Sequence, residues 1–220
     1  MKPGVLHEEW YAAVPLFPLQ TVLFPGGILG LKVFEARYLD LIGHCLRRNE
    51  PFGVVCLRQG AEVQSGSEAA AAQLEACATL AQLDEVDADQ PGILQIRCIG
   101  TRRVKLASPW QQADGLWRAR GTAVPPDEPT APPENFQGTV QALEEAIASL
   151  REQGLEPFTL PHELGDAGWV ANRWCEILPI SLAAKQRLME LEDPVTRLRL
   201  VDEYLRTKGV VRGQGRGPHQ

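Results

Sequence analysis

Four histidines (His7, His44, His162, His219) and five cysteines (Cys45, Cys56, Cys77, Cys98, Cys175) have the broadest chemical reach in this 220-residue chain. Their spacing assembles no site. No two cysteines form a CxxC pair. The run His162-Glu163 lacks the second histidine, four residues after the first, that a zinc-binding HExxH helix needs. The nearest approach to a nucleophile elbow is Gln64-Ser65-Gly66-Ser67-Glu68, which is not GxSxG and sits in a polar stretch rather than at a strand-to-helix turn. Neither a GxxxxGK(S/T) phosphate loop nor a GxGxxG turn after a strand is present. The expectation is a chain with no catalytic residues, no metal and no cofactor. His44 reads as structural, and Glu35 and Arg37 as a local pair at a helix start.

Binding chemistry is better represented. Between residues 92 and 124, Leu94, Ile96, Cys98, Val104, Leu106, Trp117 and Ala119 alternate with polar and basic residues. Strand periodicity gives that sheet an apolar face and a second face carrying Arg97, Arg103, Lys105, Arg118 and Arg120. Five bases in one layer could neutralise phosphates, so RNA or DNA is the alternative ligand. The overall charge argues against it. Acids outnumber bases 28 to 22, for a net charge of −6. Four bases lie beyond residue 205 with no acid, leaving residues 1–205 with 18 bases against 28 acids. The rings needed to stack bases are also scarce, because Trp117 alternates toward the core.

The elements that position these residues divide at a Pro-rich segment. Val14–Leu19 is a short apolar run whose Pro15 and Pro18 confine it to a sheet edge or an extended arm. Pro25-Gly26-Gly27 is a turn. Ile28–Val33 is a strand in which Gly30 marks a bulge or the close approach of another backbone. Tyr38, Leu41, Ile42, Cys45 and Leu46 form one helical stripe over residues 35–48, and Pro51 blocks its continuation. Strands follow at Phe52–Leu57, Cys77–Val86, Gly92–Ile99, Thr101–Ser108 and Leu116–Val124, with a long polar loop over 59–76. Short connections make the pairing antiparallel. Residues 125–133, PPDEPTAPP, are an extended linker. Helices then run over 134–152, from an Asp166 cap to Pro179, from a Ser181 cap, and from Asp193-Pro194 in N-cap and N1 order. Residues 207–220 form a basic, Gly-rich tail expected to be disordered. No apolar run reaches the ~20 residues of a membrane span, and acids near the N-terminus interrupt any signal peptide, so a cytoplasmic protein with buried thiols is expected.

The stretch PLFPLQTVLFPGGILGLKVFEARYLDLI resembles the opening of the Lon N-terminal domain, the substrate-binding region of ATP-dependent Lon proteases. The residues that carry the resemblance are Phe17-Pro18-Leu19, Phe24-Pro25-Gly26, Leu29-Gly30-Leu31 and Phe34-Glu35-Ala36-Arg37-Tyr38. Ile177-Leu178-Pro179-Ile180-Ser181, followed by Lys185-Gln186-Arg187-Leu188-Met189-Glu190, resembles the family's helical segment. The family often has Gly-Thr where this chain has Ala78-Thr79. The Lon ATPase and Ser-Lys protease modules have no counterpart in these 220 residues, so the resemblance carries no proteolysis. It implies an α+β fold: an N-terminal, mostly antiparallel, six-stranded PUA-like β pseudo-barrel over residues 1–124, then a helical bundle over 134–206. It also implies a non-catalytic protein- or peptide-binding module whose partners are unfolded or extended polypeptide segments, or a protein partner. The expected contact is a shallow apolar groove or an open sheet edge between barrel and helices, near Phe34, Tyr38, Trp110 and Trp174.

Overall fold

The structure is a computed structural model and describes residues 10–59 and 72–211. It divides into two compact units between Pro126 and Asp127. The first contains β1 (Trp10–Leu19), β2 (Ile28–Val33), α1 (Ala36–Arg48), β3 (Phe52–Gln59), β4 (Gln73–Gln90), β5 (Ile93–Gln111) and β6 (Trp117–Ala123). The second contains a short 3₁₀ turn (Glu134–Phe136), α2 (Gln137–Glu152), α3 (Ala167–Ile177), α4 (Leu182–Glu190) and α5 (Pro194–Thr207).

The six strands run in the order β2-β5-β4-β3-β1-β6, and β6 returns to pair with β5. Five strands thus close a ring, and β2 lies outside it. The ring closes because β5 is long enough to use one edge twice. Its first part pairs with β2 through Leu94–Ile99, and its last part pairs with β6 through Val104–Gln111. The sequence predicts two strands here, split at Gly100. They are one strand, and the glycine serves a different purpose. The turn after β1 docks on it: Gly26 donates to the Gly100 carbonyl at 2.7 Å and Gly100 donates to the Gly27 carbonyl at 2.9 Å. A Cβ on Gly100 would lie 2.3 Å from the Phe24 carbonyl oxygen.

The expectation of an edge position for β1 is corrected, because it lies between β3 and β6. Its prolines are tolerated because the two partners share its length. Over 10–16 it pairs with β6, which takes in Pro15, and over 16–19 with β3, which takes in Pro18. Each proline therefore stands where one side of the strand has no ladder to supply. The β1–β3 pairing is parallel, an exception to the expected antiparallel rule. The crossover that parallel pairing requires is the excursion through β2 and α1.

Alternation along the strands sorts the apolar residues into two layers. Val14, Leu16, Val55, Ala78, Leu80, Val104 and Ala119 fill the ring. Phe17, Leu19, Phe52, Val54, Ala81, Ile96 and Cys98 face the other way and pack under Tyr38, Leu41, Ile42 and Cys45 of α1. Leu46, expected on the same helical stripe, is half exposed. The loop expected over 59–76 is shorter than that, since β3 continues to Gln59 and β4 starts at Gln73; residues 60–71 lie outside the described residues.

In the helical unit the expected caps form. Asp166, Ser181 and Asp193 accept from the backbone amides of Trp169, Ala184 and Thr196. Part of the Pro-rich segment is also bound here: Thr130 donates its amide to Asp166 Oδ2 at 3.0 Å, and its carbonyl accepts from Ala167 at 2.7 Å. Asp127 reaches the fully buried guanidinium of Arg197, its Oδ2 lying 2.6 Å from Nη1. The proline-rich stretch is thus anchored from Asp127 onward. The tail expected over 207–220 begins inside α5, and Val211 is buried. Residues 212–220 lie outside the described residues.

Candidate functional site

The outer edge of β2 has no strand partner among the described residues. β2 is the terminal strand of the sheet order, hydrogen-bonded to β5 on one side. Its register with β5 is unbroken from Ile28↔Ile99 to Val33↔Leu94, so Gly30 is not a bulge. Nor does the glycine make room for a neighbour on its outward face, because a Cβ there would meet no described atom within 4 Å. A glycine that weakens a strand without serving packing or turn geometry leaves room for something outside the chain.

On the inward face of β2, Leu29, Leu31 and Val33 lean on the α1 layer. A groove of about 210 Å³ runs beside them, lined by Phe17, Leu19, Leu31, Phe34 and Tyr38. Tyr38 forms its floor. Its ring stacks on Phe17 at 4.0 Å and 11°, and the Arg37 guanidinium covers it at 4.7 Å. Arg37 is held in turn by Glu35 at 2.7 Å and by the Gly115 carbonyl at 3.0 Å, the local pairing expected from their positions. Phe34 forms the rim, 53% exposed, because alternation that buries Val33 turns its neighbour outward. The outward face of the same strands holds a shallow depression of about 590 Å³ bordered by Gly30, Lys32, Glu85, Asp87, Gln95 and Arg97.

Residues 13–207 match the family model of the ATP-dependent protease La (LON) substrate-binding domain. The chain belongs to this family. Lon protease 2 of Myxococcus xanthus is 28% identical over 216 residues, covering 94% of this chain and 25% of that protein. The Lon protease of Anaeromyxobacter dehalogenans is 27% identical over 217 residues, with the same coverage of 94% and 25%. The chain therefore spans about a quarter of the length of these curated relatives. A Lon N-terminal domain protein from Xanthomonas campestris superposes with a TM-score of 0.70 at 28% identity, covering 88% of this chain and 99% of that one. The N-terminal domain of the Mycobacterium avium complex Lon protease shares the fold, with a TM-score of 0.58 at 18% identity over 87% of this chain and 97% of its own.

In this LON substrate-binding domain the four residues expected to form the contact do not make one patch. Phe34 and Tyr38 line the same groove, but Tyr38 is 3% exposed and can only offer its edge. Trp110 is exposed near the far end of β5, past a break in register at Ala107/Trp110 where Ser108 takes a left-handed φ of 50°. Trp174 is corrected to a core residue. It is buried in α3, and its indole N–H donates to the Thr139 carbonyl at 3.0 Å.

The expected basic face is corrected at Arg103. Arg103 is 3% exposed and donates to the Pro125 carbonyl at 3.3 Å. Alternation fails there because the β4–β5 register slips between Thr79/Ala81, which buries Arg103 together with Val104. Arg97 is engaged by Glu85 at 2.9 Å and Asp84 at 3.2 Å. Arg118 donates to the Ala13 carbonyl and Arg120 to Ser108 Oγ, while Lys105 is exposed. The arginines spend their donors on the fold rather than presenting a layer to phosphates.

All five thiols are free and buried. Burial pushes Cys45 up to about 11 and Cys98 and Cys175 up to about 12, far from the thiolate a nucleophile needs. His44 sits 3.3 Å from Glu50, and His162 lies against the Trp169 ring. Among the described residues, no cluster of three or more His, Cys, Asp or Glu could hold a metal ion. Sequence reasoning expected a groove or an open sheet edge but did not assign that edge to β2. The one signal was Gly30, whose meaning depends on which strand ends the sheet.

Proposed function

We propose that the chain is a non-catalytic protein-binding module that seats an extended segment of unfolded polypeptide along the open edge of β2. The observation that carries this reading is the β2 edge that no described strand pairs, flanked by the Phe34 groove and left uncrowded at Gly30. An added strand gains main-chain hydrogen bonds from the edge, and its alternate side chains enter the groove. Membership in a substrate-binding family supports the same reading. The buried free thiols suit the reducing cytoplasm, where we place the module. Among the described residues, no helix is long and apolar enough to cross a membrane.

The test is fluorescence anisotropy of labelled peptides cut from an unfolded, alkylated protein. Micromolar binding is expected for extended apolar segments. Phe34→Ser removes about half of a phenylalanine's surface from the contact, about 1–2 kcal/mol, and should weaken binding roughly five- to thirty-fold. Peptides that all fail to bind, or that bind the Phe34→Ser variant equally well, would refute the proposal.

A further inference from the structure

Resting on the β2-edge reading, we infer that the segment seated there carries an acidic side chain beside Lys32 and apolar side chains on its other face. The register places side chains in rows across the outward face. One row runs Glu85, Arg97, Gly30; the next runs Asp87, Gln95, Lys32. A strand added to β2 supplies the following residue in each row, about 4.8 Å further out. Its nearest charged neighbour is Lys32, which is exposed and makes no ion pair among the described residues. In the other row Gly30 has no side chain, and Arg97 behind it is already paired with Asp84 and Glu85, so Lys32 is the cation that the added strand meets.

The acids of this region do not cancel that preference. Asp84 and Glu85 are satisfied by Arg97 and Glu35 by Arg37. Asp87 stands two strands behind Lys32, about 10 Å from it and about a Debye length away at 0.1 M salt. On the inward face Phe17, Leu19, Leu31 and Val33 are apolar, and Glu35, which also borders the groove, is held by Arg37, so apolar side chains suit the alternate positions there.

Three labelled nine-residue peptides with identical apolar positions and Glu, Ser or Lys at every alternate position test the assignment on the full chain by anisotropy. The expected order at low salt is Glu, then Ser, then Lys, with roughly tenfold between the extremes, shrinking in 0.5 M salt. Lys32→Glu, a change at an exposed position, should reverse the order. Equal affinities for the three peptides overturn the acidic class and leave edge docking standing. A Glu preference unchanged in Lys32→Glu overturns the assignment to this face. Absence of binding by all three overturns edge docking and this inference with it.

Discussion

Replacing Arg197 with methionine should destabilise the helical unit by about 3–5 kcal/mol. The side chain is 1% exposed and bonds to four residues in three segments: the Asp127 stretch, α3 and the end of α4. Nη1 lies 2.6 Å from Asp127 Oδ2 and 3.0 Å from Asn172 Oδ1, Nη2 lies 3.3 Å from Asp127 Oδ1, and Nε donates to the Leu188 carbonyl at 3.0 Å. The Leu191 carbonyl accepts a further bond from Nη2. Methionine fills much of the volume, so the loss is electrostatic: a mostly buried carboxylate on Asp127 loses its counter-ion, and the carbonyls of Leu188 and Leu191 at the end of α4 lose their donor. Several kcal/mol is a large part of what a domain has to lose. The assay is urea unfolding followed by circular dichroism at 222 nm, where α2–α5 dominate the signal, on the single variants Arg197→Met and Asp127→Asn and on the double variant. The double variant should be more stable than the two single losses predict, because an unpaired buried charge is worse than no charge. A single loss below about 1 kcal/mol, or losses that simply add, would refute the reasoning.

Other outcomes follow from the same contacts. Gly100→Ala forces a methyl to within 2.3 Å of the Phe24 carbonyl, so the turn after β1 must lift; thermal melting should show a loss of about 2–3 kcal/mol, and an unchanged melting temperature would contradict the docking of that turn. Burial pushes the Glu176 carboxyl up to about 7, outweighing the attraction of Arg173 2.8 Å away. Its folded pKa is raised, so its contribution to stability is complete below the ordinary carboxylate value and is lost as pH rises through about 7. Glu176→Gln should therefore flatten the fall in urea midpoint between pH 4.5 and 7 relative to the parent chain; parallel profiles would exclude the burial effect.

Much of the architecture is legible because local rules and tertiary demands coincide. Asp166, Ser181 and Asp193 stand one residue ahead of their helices and cap them, and Tyr38, Leu41, Ile42 and Cys45 bury together because their spacing allows one face. The rule fails where a long-range partner reassigns a residue. Gly100 looks like a strand break until the turn at 24–27 is seen to need the space. Arg103 looks solvent-facing until a register slip in β4–β5 buries it. Trp110, one residue from the end of β5, is exposed, whereas Trp174 at an inward spacing within α3 is buried. Half of the candidate site is readable from the run Phe34 to Tyr38. The other half, the free edge, is a property of strand order and is written in no short segment.

The way β1 is shared between β3 and β6 has a consequence for how the protein is made. Residues 10–16 cannot find their β6 partners until residues 117–122 have been synthesised, about a hundred positions later. At ribosomal speeds of 5–20 residues per second that is a wait of roughly five to twenty seconds. Throughout it residues 10–16 form an extended, mostly apolar stretch still lacking that partner, the same kind of chain that we propose the finished edge receives.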